Sequence, residues 1–375
     1  MNQSSPSLVR LPWLDLARFT AIISVVANHA MSRSFSISKN TYNEFISMGL
    51  ATSFLKAFVY VFSRIGVPLF LMITGSLLLG RDFEDKRVFN RFLKKSWFPL
   101  LRTSMIWLGI MYWYLQLFSG SILKTEGLIR AIKLFIETVC FVNVKSMSSM
   151  WYMYMILCVY LMIPIISLSL KKLGDKYVFF LFLTVVVIGM VFPNFNTFLL
   201  SLGSSRKYIP ALSISDFFSI YFLYILSGWW ISQRKLERLP GYALLCCMFG
   251  VFLLTTVFQL WIYQSGNTNY FVRYADIGIL SSAALVFECF RRYSLKTTSK
   301  WFTPVLYISK ISFGIYFIHI CIMTALKVFL DRYSSLWGFP RFLFLFIFSF
   351  IGSVILIKAT QSIHFFRKYL FIIKE

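Results

Sequence analysis

Long apolar runs recur along the chain, and short polar or basic segments separate them. About ten of these runs are long enough to form helices that cross a bilayer, which takes about twenty apolar residues each. The pattern therefore predicts an all-α fold, a polytopic bundle of transmembrane helices. The runs lie near residues 12–31, 54–79, 97–118, 150–170, 177–193, 216–232, 241–263, 271–290, 303–327 and 341–360.

Composition supports a chain whose main solvent is lipid. Hydrophobic residues make up 58% of the 375 positions and charged residues only 14%, whereas a soluble domain carries about a quarter charged residues. No polar stretch is long enough to form a soluble domain of its own. We therefore expect residues 1–375 to form a single transmembrane domain.

The chain is strongly basic, with a formal charge of +24 from 38 Lys and Arg against 14 Asp and Glu. Basic residues gather in alternate connecting segments, most densely between residues 81 and 95. Because cytoplasmic loops carry the excess of Lys and Arg, this asymmetry predicts that both termini are cytoplasmic. No basic stretch outside the apolar runs is interleaved with stacking aromatic residues, so we expect no nucleic-acid binding.

The six cysteines show no CxxC spacing and lie mostly inside apolar runs. That distribution is typical of packing residues, so neither a disulfide framework nor a metal site is expected. The first apolar run carries Asp15, Arg18 and His29, which a cleavable signal peptide does not tolerate. We therefore expect this run to be retained as the first span.

The longest segment on the side opposite the basic loops runs from about residue 119 to residue 149. Apolar residues within it recur at helical spacing. They predict an amphipathic helix that lies on the outer membrane surface. The residues are Leu128, Ile132, Phe135, Ile136 and Val139.

Ionisable residues inside the apolar runs are the first candidates for function, because a charge at membrane depth is costly. Arg18 and His29 are eleven positions apart, which puts them on one helix face, about 16 Å apart along the axis. Asp15 lies one turn before Arg18 and can pair with it. The stripe predicts a cavity lined by all three, although an arginine near a helix end also serves as an interface anchor.

The same residues match a known pattern. Leu14-Asp15-x-x-Arg18, followed after ten residues by His29, resembles the first span of the membrane-bound acyltransferase-3 family. The hallmark of that family is an Arg and a His ten residues apart in this span. Its members O-acetylate cell-surface glycans.

Other stretches carry the same resemblance, in the same order along the chain. One begins at Arg64 and ends at Gly75, where the family typically reads R-x-x-V-P-x-F-F-x-I-S-G. This chain departs mildly from that pattern at Leu71 and Thr74. The remaining matches are Leu93-Lys94-Lys95, Met150-Trp151-Tyr152 and Ser312-Phe313-Gly314-Ile315-Tyr316-Phe317-Ile318-His319.

The resemblance implies a multi-pass acyltransferase of the bacterial inner membrane. It would move an acetyl group from cytoplasmic acetyl-CoA to a hydroxyl of a surface or lipid-linked glycan, with no metal. Histidine suits proton transfer near neutral pH, so the resemblance assigns His29 as the general base, beside Arg18 and Asp15. The residues expected on the substrate side are Trp151, Tyr152 and His319.

The phosphates of coenzyme A are expected at the basic flank of the second and third runs, where positive charge and hydrogen-bond donors can bind them. Arg91, Lys94 and Lys95 stand there, where many family members have an arginine pair. A lysine supplies a point charge but not a bidentate fork, and ordinary positive-inside charge would explain the same residues. The expected cofactor-binding residues are Arg91, Lys94, Lys95, Arg102 and Arg64.

Two other classes of function stay open on the residues alone. A transporter or flippase of a lipid-linked glycan or small anion also buries charge among broken helices. A scaffold of a polysaccharide assembly complex would have no need of His29. Many transporters carry internal repeats, and this chain shows none, so the sequence favours the acyltransferase.

Overall fold

The computed structural model describes residues 11–36, 41–119, 127–141, 150–203, 216–234, 237, 239–266, 272–293, 299–300 and 302–373. Within these ranges the regular structure is entirely helical, with no strand. The first helices are α1 Pro12–Ser34, α2 Thr41–Met48, α3 Leu50–Arg64, α4 Gly66–Leu78, α5 Lys86–Phe92 and α6 Phe98–Ser119. The others are α7 Gly127–Val139, α8 Trp151–Lys172, α9 Asp175–Val186, α10 Phe192–Ser201, α11 Asp216–Ser232, α12 Gly241–Gln264, α13 Ile277–Arg292, α14 Phe302–Tyr333 and α15 Gly338–Thr360.

The all-α prediction is confirmed, because each apolar run of the sequence coincides with a helix or a pair of helices. Within the described residues, six helical stretches are long and apolar enough to cross a membrane. The count of ten spans and the cytoplasmic placement of both termini stay predictions. The six stretches are Leu50–Leu78, Trp151–Lys172, Asp175–Ser201, Gly241–Gln264, Phe302–Tyr333 and Gly338–Thr360.

Helix α1 occupies the centre of the bundle, in contact with α3, α4, α13, α14 and α15. Small residues on α1 let these neighbours approach closely. Ala17, Ala21, Ser24 and Ala30 have no exposed surface. The carboxylate of Asp15 on the same helix also has no exposed surface.

The second apolar run is interrupted at Ile65, where α3 ends and α4 begins. Ser24 on α1 donates its hydroxyl hydrogen bond to the carbonyl oxygens of Phe62 and Ser63, at 2.9 and 3.0 Å. A Cβ atom added to Gly66 would lie 2.7 Å from the carbonyl oxygen of Ala21. The interruption is thus clamped against α1, which fixes where the end of α3 lies relative to the middle of α1.

The backbones of helices α4 and α11 cross at very close range. A Cβ atom on Gly75 would lie 1.9 Å from the carbonyl oxygen of Ile225, and one on Gly228 would lie 2.1 Å from that of Met72. Ser76 donates a hydrogen bond to the carbonyl oxygen of Gly228 at 2.8 Å. Only glycine permits two backbones to approach so closely, as in other membrane helix pairs.

Helix α6 is tied to the chain's C-terminal segment. A π-helical turn, Leu93–Trp97, joins α5 to α6, and another, Phe366–Leu370, follows α15. The Trp107 indole N–H donates to the carbonyl oxygen of Leu370 at 2.9 Å, and the Thr103 hydroxyl donates to that of Tyr369 at 2.8 Å. The C-terminal turn therefore packs beside the N-terminal half of α6.

The amphipathic helix predicted within residues 119–149 is present as α7. Its residues Leu128, Ile129 and Ile136 are exposed in the isolated chain, as expected of a face that lies against lipid. The Tyr112 hydroxyl of α6 donates to the carbonyl oxygen of Ala131 at 2.8 Å, which attaches α7 to the bundle. Its position on the outer membrane surface stays a prediction.

We predict that Gly75→Ala destabilises the fold more than a glycine-to-alanine change elsewhere in a helix. Its new methyl group would overlap the Ile225 carbonyl oxygen, and overpacking typically costs about 1–3 kcal/mol. Gly250→Ala in α12 is the matched control, because no atom lies within 4 Å of its added Cβ. Thermal unfolding in detergent should show a lower melting temperature for Gly75→Ala alone, and equal melting temperatures would contradict the close crossing.

Candidate active site

A cavity of about 330 Å³ opens between α1, α4, α6, α8 and α14. It lies at the end of the bundle that holds the basic segment of residues 81–95, which is called the basic end below. Its wall combines aromatic side chains with three basic ones, which is a common make-up for a ligand pocket. The residues that carry its chemistry are Arg18, Arg81, Lys95, Tyr152, Tyr160 and Tyr316.

Arg18 reaches this cavity while paired with a buried carboxylate. Asp15 has no exposed surface and accepts hydrogen bonds from the Ser309 hydroxyl at 2.6 Å and from Arg18 Nη1 at 3.3 Å. The Arg18 side chain keeps 28% of its surface exposed. Because the pair and the serine bond offset the cost of burying charge, Arg18 can present its guanidinium to the cavity in one fixed orientation.

The structure separates the basic residues that the sequence grouped together. Lys95 lines the cavity with Arg18, whereas Lys94 and Arg102 line a neighbouring hollow on another face of α6. Consecutive helical residues point about 100° apart, so Lys94 and Lys95 cannot face the same space. Arg91 is exposed and does not line the cavity.

His29 lies near the opposite end of α1 and faces His319 of α14. The two imidazole ring centroids are 5.3 Å apart. His319 has no exposed surface, and its Nδ1 atom lies 2.8 Å from the carbonyl oxygen of Ile315. A carbonyl oxygen only accepts hydrogen bonds, so Nδ1 must carry the hydrogen and Nε2 the free lone pair. Among the described residues, that Nε2 atom has no hydrogen-bond partner.

Tyr316 connects the cavity with the two histidines. Its ring centroid lies 5.7 Å from that of Tyr152 and 6.1 Å from that of His319, and both tyrosines line the cavity. Ser309, Ser312, Tyr316 and His319 follow one another at intervals of three and four, so they form one stripe of α14. This stripe faces the stripe of Asp15, Arg18 and His29 on α1.

Arg64 lies near His29 and does not line the cavity. Its guanidinium donates to the Tyr60 hydroxyl at 3.2 Å and lies 5.4 Å from the centroid of the Tyr274 ring. Arg64 and Arg33 both act electrostatically on His29. The clamp between α1 and the end of α3 explains this location.

Of the three predicted substrate residues, His319 faces His29, and the other two lie in different positions. Tyr152 lines the cavity. Trp151 points elsewhere, with its ring 5.3 Å from that of Tyr274 and 5.7 Å from that of Tyr221. Neighbouring positions on a helix face different directions, so only Tyr152 of this motif lines the cavity.

Sequence reasoning missed Arg81, Tyr160 and Tyr316 as lining residues. Arg81 lies three residues after the end of α4, where the sequence alone suggests only an ordinary loop charge. Tyr316 could have been found from its spacing to His319, which puts the two on one helix face. Within the described residues, no three His, Cys, Asp or Glu side chains gather as metal ligands would.

A family model described as an acyltransferase domain matches residues 11–358 of the chain. The matched range includes both histidines, the Asp15–Arg18 pair and nearly the whole lining of the cavity. Neither a curated protein nor a solved structure shows significant similarity to the chain.

We predict that Asp15→Ala lowers the melting temperature more than Ser309→Ala. Removal of one partner of a buried ion pair costs about 3–5 kcal/mol, and the partial exposure of Arg18 places this change near the lower limit. Loss of a hydrogen bond to a charged group costs about 1.5–3 kcal/mol. Ser353→Ala is the control, because among the described residues that buried serine donates only to the Ser349 carbonyl oxygen of its own helix. Equal shifts for Asp15→Ala and Ser353→Ala would contradict the assigned pair.

Proposed function

Because the chain belongs to the acyltransferase-3 family, we propose that it transfers an acetyl group from acetyl-CoA to a hydroxyl of a cell-surface or lipid-linked glycan. The proposal places it in the bacterial inner membrane. We also propose that the protein is similar to single-domain members of the family, such as the acetyltransferase of enterobacterial common antigen. The observation that carries it is the pair of facing stripes on α1 and α14, which have Arg18 at one end and two histidines at the other.

The donor would bind from the basic end of the bundle. Arg18, Arg81 and Lys95 converge on the cavity, and such groups bind phosphate through charge-assisted hydrogen bonds. The pantetheine arm would then extend past Tyr152 and Tyr316 toward the histidines, over the roughly 16 Å that separates Arg18 from His29 along α1. Arg91, Lys94 and Arg102 do not line this cavity, so the proposed donor site does not include them.

His29 would act as the general base. Its imidazole takes the proton of the glycan hydroxyl as the oxygen attacks the thioester carbonyl. The tetrahedral intermediate then collapses, the C–S bond breaks, and the coenzyme A thiolate leaves and receives the proton. Arg64, whose charge acts on His29, would stabilise the negative oxygen of the intermediate.

His319 would orient the acceptor. Its tautomer leaves the Nε2 lone pair free, and a second hydroxyl of the acceptor sugar would donate a hydrogen bond to it. Such a bond would orient the sugar so that the attacking hydroxyl faces the thioester while His29 removes the proton of that hydroxyl. A site built to pair with a substrate hydroxyl also discriminates against acceptors that lack it.

We predict that His29→Ala abolishes acetylation while acetyl-CoA binding persists. Loss of a general base typically lowers the rate about a hundredfold to ten-thousandfold. Mass spectrometry of surface glycans should find the mass of one acetyl group in cells that carry the wild-type gene and not in cells that carry His29→Ala. His364→Ala is the matched control, because His364 is exposed beyond α15.

Normal acetylation by His29→Ala would refute the base assignment. A glycan mass that does not depend on the gene would refute the acetyltransferase proposal and favour a transporter. Acidification should also slow the wild-type enzyme, because a protonated imidazole cannot accept the hydroxyl proton.

We predict that the double variant Arg18→Gln/Lys95→Gln weakens the binding of acetyl-CoA to the purified protein. Both residues line the cavity, and the loss should be larger at low salt, where screening is weaker. Arg87→Gln/Lys172→Gln is the control, because both residues are exposed at the same end of the bundle. Calorimetric titration that finds equal affinity in the two double variants would reject this donor site.

A further inference from the structure

A long groove follows the outer face of α6, apart from the proposed active site. Two hollows of about 470 and 810 Å³ form it, and they share Met105 and Ile106. The groove runs from Lys94 at the basic end to Gln116 near the other end of α6. None of the acyl-transfer steps proposed above uses it.

The basic end of the groove has unused capacity to bind an anion. The Arg102 guanidinium lies 4.2 Å from the centroid of the Tyr369 ring, and among the described residues its buried Nε atom has no hydrogen-bond partner. Lys94 lines the same hollow and is exposed. The described lining holds no carboxylate. These two cations complement a phosphate.

The rest of the groove is apolar and open at the side of the bundle. Ile110 and Trp113 line it and keep 39% and 37% of their surface exposed. A Cβ atom on Gly109 would lie 3.2 Å from the Phe135 ring, so this glycine leaves room where α7 closes the groove. Trp113 lies eleven positions after Arg102, which corresponds to a rise of about 16 Å along the helix axis. One leaflet contributes about 15 Å, half of the hydrocarbon core.

We propose that this groove binds an anionic glycerophospholipid from the leaflet at the basic end of the bundle. The headgroup phosphate bonds Arg102 and Lys94, and one acyl chain lies along Met105, Ile110 and Trp113. A phosphate at one end and an apolar channel as long as one leaflet fit a lipid better than coenzyme A. The bound lipid would link α6 to the C-terminal turn, through Tyr369, and to α7, through Phe135.

Native mass spectrometry of the delipidated full chain can test this site. Phosphatidylglycerol should bind the wild-type protein more tightly than phosphatidylcholine does. In Lys94→Gln/Arg102→Gln its affinity should fall about fivefold for each lost basic residue. The control Arg87→Gln/Lys172→Gln removes the same charge from exposed positions and should keep wild-type affinity.

A third variant tests the acyl-chain part of the site. Ile110→Trp should fill the groove and weaken phosphatidylglycerol binding without a change of charge. The site is rejected if the two double variants lose equal affinity, or if Ile110→Trp binds phosphatidylglycerol like the wild type. It is also rejected if Lys94→Gln/Arg102→Gln loses acetyl-CoA binding while it retains phosphatidylglycerol, because the hollow would then belong to the donor.

Discussion

The burial of charge in α1 is the constraint on which the rest of the structure depends. An apolar helix that carries Asp15 and Arg18 is costly to place against lipid, because unpaired charge in a membrane is expensive. It must lie where other helices supply partners, and the structure places α1 at the centre of the bundle. Asp15 receives hydrogen bonds from Arg18 on its own helix and from Ser309 on α14, which joins the two helices that form the site.

Once α1 and α14 are joined in this way, the two ends of the site follow. The stripe of α14 that begins at Ser309 ends at His319, which faces His29 across 5.3 Å. The clamp between Ser24 and the end of α3 brings Arg64 near His29. A cavity with three basic side chains and a pair of facing histidines therefore lie at opposite ends of one helix pair, with Tyr316 between them. The separation suits a long donor molecule that enters from one side and an acceptor that approaches from the other.

Periodicity predicted much of this arrangement, and its errors have a clear origin. The positions of Asp15, Arg18 and His29 on one face came from the helix repeat alone, as did the presence of α7. The same reasoning expected one phosphate site from Arg91, Lys94 and Lys95, together with Arg102, and expected Arg64 to line the cavity. The structure places these residues in different surroundings. A cluster in sequence is not a cluster in space, because each residue step turns the side chain by about 100°. Arg81 was missed because it joins the cavity only through tertiary packing, whereas the spacing of Tyr316 to His319 already puts both on one face of α14.

The sequence by itself determined that the chain is helical with runs apolar enough to cross a membrane, that Asp15, Arg18 and His29 lie inside the first of these runs, and that Arg18 and His29 share a face. These features depend on composition and on the helix repeat, which are local properties. Only the tertiary structure decided which second helix completes the site, which lysine faces Arg18 and which tautomer His319 adopts. Those outcomes depend on contacts between residues hundreds of positions apart, such as Asp15 and Ser309. No local repeat encodes such contacts, because they arise only when the buried charges of one helix find their partners on another.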